Sequence, residues 1–232
     1  MEKTEWREKI EKIQRRERFC MSAPQVRSTQ QDDSEVVEIT GRAIVFNRES
    51  VTLYEDEKRV IREVIAPEAV TDDLLARSTI LMTLYHNNER VLARSLNGKG
   101  TLKYKRTDEG VDFSFTPPDT EDGRTARELV ARGDITGCSF AFRADYGDRD
   151  AVERSVETVD GREIVTFTVK RMLGVYDFTL TPMPAYEDTS VSTRMAAVDT
   201  MLRERIECDS RDKRAAVRTE AARLRRIADS EF

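Results

Sequence analysis

The sequence predicts a β-rich α+β fold: a mostly antiparallel, barrel-like sheet with a few short helices and helical terminal extensions. Three observations predict it. Short runs rich in Val, Ile, Thr and aromatic residues, several alternating in polarity, recur between residues 36 and 181. Hairpin turn signals separate some of them, Thr107-Asp-Glu-Gly110 and Asp160-Gly161 in particular. The connections are too short for repeated βαβ crossovers, so neighbouring strands should run antiparallel.

Residues 1 to 18 alternate acid and base around Trp6, Ile10 and Ile13, whose spacing makes a narrow apolar stripe on an expected helix. Met21 to Ser34 is polar and reads as a linker. Val36 to Phe46 and Lys58 to Ile65 are expected strands, with Arg48-Glu-Ser50 turning between them. Pro67 opens a short helix through Leu75, since its missing N–H would be unpaired in a first turn anyway. Ile80 to Tyr85 is a compact strand that delivers His86, Asn87 to Glu89 follow as a turn, and Val91 to Arg94 resumes extended structure.

Leu102 to Arg106 and Val111 to Thr116 form a hairpin, with Gly110 expected to supply the positive φ of its turn. Asp119 or Thr120 caps a helix whose buried side is Ala126, Leu129 and Val130, and Gly133 stops it. Asp134 to Arg143 is then a strand. Period two puts Cys138, Phe140 and Phe142 on one face, and Ser139 with Ala141 on the other. Val152 to Val159 and Glu163 to Lys170 pair around Asp160-Gly161, and Leu173 to Thr181 is the last core strand. Beyond Ser190, Val198, Met201, Leu202 and Ile206 fall at helical spacing before a stretch dense in Arg, Ala and Glu. The expected organisation is a charged amino-terminal helix and linker (1–34), a folded domain (35–190) and a charged helical or partly disordered tail (191–232).

Composition narrows the function. The chain has 232 residues, 38% hydrophobic and 36% charged, with a net charge of -5. Its basic residues are interleaved with acids, so nucleic acid is not an expected partner. Three distant cysteines, Cys20, Cys138 and Cys208, suggest neither a disulfide framework nor a zinc site, and a reducing compartment fits. No apolar run approaches the length of a membrane span and the first residues are charged, so a soluble chain without a standard secretion signal is expected. No cofactor is implied.

A serine on a strand and a single histidine after another strand invite a nucleophile and base. Spacing alone does not join them. The ordered set of segments is more specific: the strand ending in His86, the hairpin, Pro117-Pro-Asp-Thr120 before a helix, Arg132 to Phe142, and Val175 to Tyr186. Over residues 36 to 190 this succession resembles the prohead (capsid maturation) proteases of tailed phages, which look like distant relatives of the herpesvirus assemblins. The resemblance implies that His86 is the general base and Ser139 the nucleophile. Two departures stand out: Ser139-Phe-Ala-Phe142 replaces Ser-x-Gly-Phe, and Asp177-Phe-Thr179 replaces Glu-Val-Ser. Assemblins use a second histidine as the third member; this chain has one histidine, so a carboxylate, a water or no third member must serve. Asp177 is the candidate.

The resemblance implies an assemblin-like fold and a serine endopeptidase that cleaves scaffold or coat-protein segments inside a procapsid in the host cytoplasm. It implies the major capsid protein and scaffold as partners, and a homodimer on the assemblin pattern. The composition change after residue 190 suggests a targeting tail that the protease removes from itself. Arg143 and Arg171 are nearby charged candidates for the site, but read better as ordinary surface arginines. Cys138 is the rival nucleophile, but the face it shares with Phe140 and Phe142 favours burial. A metallohydrolase would lack HExxH-like spacing. A non-enzymatic capsid-assembly or scaffold-binding protein is the rival from another class.

Overall fold

The computed structural model describes residues 16–20, 24–31, 34–50, 52–182, 200, 202–204, 206–208, 210–211 and 213–214. The chain divides into two compact units, Met1–Met195 and Ala196–Phe232. The described residues of the second unit are helical. Those of the first form fourteen strands, two short α-helices and one 3-10 turn.

In chain order the strands are β1 (Arg16–Cys20), β2 (Gln25–Gln31), β3 (Ser34–Val45), β4 (Tyr54–Glu55), β5 (Arg59–Ile65), β6 (Thr79–Leu84) and β7 (Asn87–Leu96). They continue with β8 (Lys99–Gly100), β9 (Lys103–Arg106), β10 (Gly110–Phe115), β11 (Gly137–Ala144), β12 (Val152–Val159), β13 (Arg162–Val169) and β14 (Met172–Thr181). The helices are α1 (Asp72–Arg77) and α2 (Glu121–Arg132). The strands make three open sheets, β1-β11-β14-β6-β7-β8, β2-β3-β10-β9 and β12-β13-β5-β4. The β-rich class is as expected, but the barrel-like closure is corrected: among the described residues, each sheet ends on edge strands. Two pairs are parallel, β13 with β5 and β14 with β6, and both join strands far apart in sequence.

Burial builds the core from the inner faces of these sheets. Phe113 of β10 meets Phe178 of β14 with ring centroids 6.4 Å apart, so the back of the six-stranded sheet packs on the second sheet. Phe140 and Phe142 of β11 stack at 5.5 Å, and both are buried with Cys138.

Several local expectations are corrected. Most of the expected amino-terminal helix lies outside the described residues, but Arg16–Cys20 is a strand on the edge of β11. The stretch read as a linker contains β2, which pairs antiparallel with β3 from Gln25 to Gln31. β2 is an edge strand, so it needs no apolar face to keep its place, and its polarity concealed it. The helix expected from Pro67 to Leu75 is a 3-10 turn, Pro67–Ala69, followed by α1, which Thr71 caps by accepting the Leu74 N–H.

Gly110 does not take a positive φ. A Cβ there would stand 1.9 Å from the Ile44 carbonyl oxygen, so close approach of β3 is what requires glycine. Asp160-Gly161 is as expected, with φ of 52° and 78°. Thr120 caps α2 through the Gly123 N–H, and Gly133 ends it at φ 79°.

Candidate active site

β14 lies between β11 and β6, antiparallel to the first and parallel to the second. In register, Ser139 is opposite Thr179 and Thr179 is beside Thr83. One step along, Ala141 is opposite Asp177 and Asp177 is beside Leu81. Residues directly opposite share a face, so Ser139, Asp177 and Thr179 project together. Cys138, Phe140, Phe178 and Leu180 take the other face, as period two requires. β14 carries one extra residue, Tyr176, between its Asp177–Ala141 and Val175–Phe142 pairs, a bulge that adjoins the buried carboxylate.

His86 arrives from the far side of β6. Leu84 pairs with Asn87, so Tyr85 and His86 are the two central residues of a tight hairpin. Both have positive φ, 58° and 54°. That is the type I′ requirement, usually met by Asn-Gly, and two bulky L-residues adopt it at a cost. From the sequence the turn is expected one step later, at Asn87 to Glu89. Those residues instead open β7, where Asn88, Glu89 and Arg90 bulge between the Leu84–Asn87 and Thr83–Val91 pairs. Tyr85 is held from outside by the Arg90 guanidinium, 5.3 Å from its ring centroid, and Arg90 is ion-paired to Asp122 at 2.6 Å in the first turn of α2.

The folded-back ring connects the other two residues. His86 Nδ1 is 2.9 Å from Asp177 Oδ1, and His86 Nε2 is 2.9 Å from Ser139 Oγ. A carboxylate in its ionised form only accepts, and the pairing it then makes is Nδ1–H to Asp177 with the Nε2 lone pair facing the serine hydroxyl. Asp177 is fully buried and Ser139 is 1% exposed, whereas the His86 side chain keeps 12% of its surface. Burial shields both hydrogen bonds from water and strengthens them. The arrangement can take a proton from an alcohol, turn that alcohol into a nucleophile and hold the resulting imidazolium beside a carboxylate.

All three residues expected from the sequence are thus brought together. Cys138 is not: it is fully buried on the opposite face, its Sγ near the Ser139 carbonyl oxygen at 3.4 Å. Arg171 is ion-paired with Asp148, and Arg143 is half-buried on β11 rather than exposed. Thr179 carries no expected role in the sequence, yet its hydroxyl reaches the backbone of His86. Its alternation with Asp177 along β14 is the available signal.

A serine, a histidine and an aspartate are thus linked in the order that nucleophilic acyl transfer by a serine requires. The family model for caudovirus prohead serine proteases matches residues 24–204. The chain belongs to that family. Among solved structures, it is similar to the bacteriophage T4 capsid assembly protease at 12% identity and a TM-score of 0.36, over 73% of this chain and 98% of that one. No curated protein matches it.

Proposed function

We propose that the chain is a serine endopeptidase of capsid maturation in which Ser139 is the nucleophile, His86 the general base and Asp177 the orienting carboxylate. The observation that carries this reading is the continuous hydrogen-bonded series Asp177–His86–Ser139. His86 Nε2 takes the Ser139 proton as Oγ attacks the scissile carbonyl. The same nitrogen then protonates the leaving amine, and a water, activated likewise, releases the acyl group. Asp177 keeps Nδ1 protonated and stabilises the imidazolium. Family membership supports coat-protein and scaffold segments inside a procapsid as substrates.

Substrates of this kind are extended peptides, which bind by adding a strand to a sheet edge. The edge beside the nucleophile is that of β11. In this structure the chain's own β1 occupies it, with Phe19 in register opposite Ser139. A substrate strand added at this edge would take the place of β1. Deleting residues 1–22 is expected to lower KM for an unstructured peptide substrate. An unchanged KM would place the substrate elsewhere.

The test of the function itself is co-expression of the chain with its cognate coat and scaffold proteins. Shortening of either, abolished by His86→Ala, is the expected result; if neither is shortened, or His86→Ala changes nothing, the protein acts by assembly contacts instead. In the same samples, intact-mass measurement of the protease reads self-processing, for which the expected product lacks residues beyond about 190. An intact carboxy terminus after prolonged incubation removes that part of the proposal. Pairing of two copies would show as a specific rate that rises with protease concentration.

A further inference from the structure

We infer that Thr179 is a positioning residue for His86, fixing the peptide from which the imidazole projects; this rests on the protease reading above. In a two-residue hairpin the N–H groups of both central residues are left out of the hairpin's own hydrogen bonds. Here both are satisfied by β14. The Tyr85 N–H reaches the Leu180 carbonyl at 3.2 Å, and the His86 N–H reaches Thr179 Oγ1 at 2.9 Å. The hydroxyl is itself fixed. It donates to the Thr83 carbonyl at 3.1 Å and accepts from the Thr83 hydroxyl at 2.9 Å. One donated and two accepted bonds use the full capacity of a hydroxyl, so its lone pair cannot turn away from the His86 N–H. Thr179 and Thr83 are both fully buried, where an unmade bond is costly.

The geometry gives this contact its importance. His86 lies in the left-handed region, which a histidine leaves when nothing holds it. Rotation of that peptide would swing the ring off two 2.9 Å contacts at once. Strand β14 thus supplies Asp177 to one end of the imidazole and Thr179 to the backbone behind it. Because both come from one strand, ring and carboxylate are placed in a common frame.

Thr179→Val keeps the shape and removes the oxygen, while Thr179→Ser keeps the oxygen and removes the methyl. The expected result is a roughly 10- to 100-fold fall in kcat for Thr179→Val with KM within about twofold, and recovery to within about threefold of wild type in Thr179→Ser. A second readout does not need activity. His86 is the only histidine, so one imidazole is seen by nitrogen-15 NMR, in the Ser139→Ala background to prevent self-cleavage. The Nδ1–H form should dominate with Thr179 intact and in Thr179→Ser alike. It should become a tautomer mixture in Thr179→Val, or in Thr179→Ala should the valine variant not fold. Wild-type kcat with an unchanged tautomer in Thr179→Val overturns the inference. So does an equal loss in the serine and valine variants, which would assign the effect to packing. If the wild-type chain cleaves nothing, the protease reading fails, and the tautomer measurement still decides the role of Thr179.

Discussion

Ser139→Ala is expected to remove cleavage of coat and scaffold segments, with a loss on the order of a million-fold in kcat, the effect of deleting a serine protease's nucleophile, which is the role proposed for Ser139. The fold survives, because the change removes one hydroxyl from a residue whose backbone pairs with Thr179 on β14. Melting temperature and a peptide-cleavage assay measure the two effects separately. Cys138→Ala is the matched control. Its thiol is fully buried on the Phe140 and Phe142 face, so the expected cost is about 1 kcal/mol of stability with cleavage retained. Cleavage kept in Ser139→Ala and lost in Cys138→Ala would reverse the assignment.

Asp177→Asn is expected to lower kcat by about 10⁴-fold with little change in overall structure, the size of effect that a wrong histidine tautomer produces in such sites. Asparagine has nearly the same shape, so the fully buried position is filled. Its amide can present an N–H to His86 Nδ1, which then becomes the acceptor and leaves the proton on Nε2. An Nε2–H cannot take the proton of Ser139, 2.9 Å away. Steady-state kinetics on a peptide substrate, with the imidazole tautomer read by NMR, check both parts. A loss below about tenfold would mean that Asp177 is a buried structural acid and that His86 is oriented without it.

The difference expected between these variants and Thr179→Val reflects distance from the proposed chemistry. In that mechanism Ser139 and His86, whose Oγ and Nε2 are in contact, exchange the proton directly, Asp177 sets which nitrogen holds it, and Thr179 acts only through the backbone of His86. Each step removed leaves more of the transition-state stabilisation intact.

Much of the site was legible because its residues are rare or patterned. The chain has one histidine, and period two along residues 137–144 already separates Ser139 from Cys138 and the aromatics. The β12–β13 hairpin was legible from Asp160-Gly161, and the ends of α2 from Thr120 and Gly133, because those residue types answer to backbone geometry within a few positions. β2 was not legible, since an edge strand held by its neighbour's backbone need not look like a strand. Nor was the turn at Tyr85 and His86. Local propensity favours the asparagines that follow, and the contacts that support positive φ at two bulky residues, acceptors on β14 and Arg90 over the Tyr85 ring, exist only in the folded chain.

The sequence by itself determined the β-rich class, the order of the main strands and the two faces of the Ser139 strand, and it offered His86, Ser139 and Asp177 as the candidate set. Each is a matter of periodicity, turn chemistry or the ordered motifs of a family. The tertiary structure alone decided that β14 inserts between β11 and β6, that the sheets stay open among the described residues, that β1 lies along the Ser139 strand and that the Thr179 hydroxyl accepts from the His86 N–H. Pairing between strands distant in sequence depends on which edges remain free once the local hairpins have formed. That is a property of the assembled sheet, and no single segment carries it.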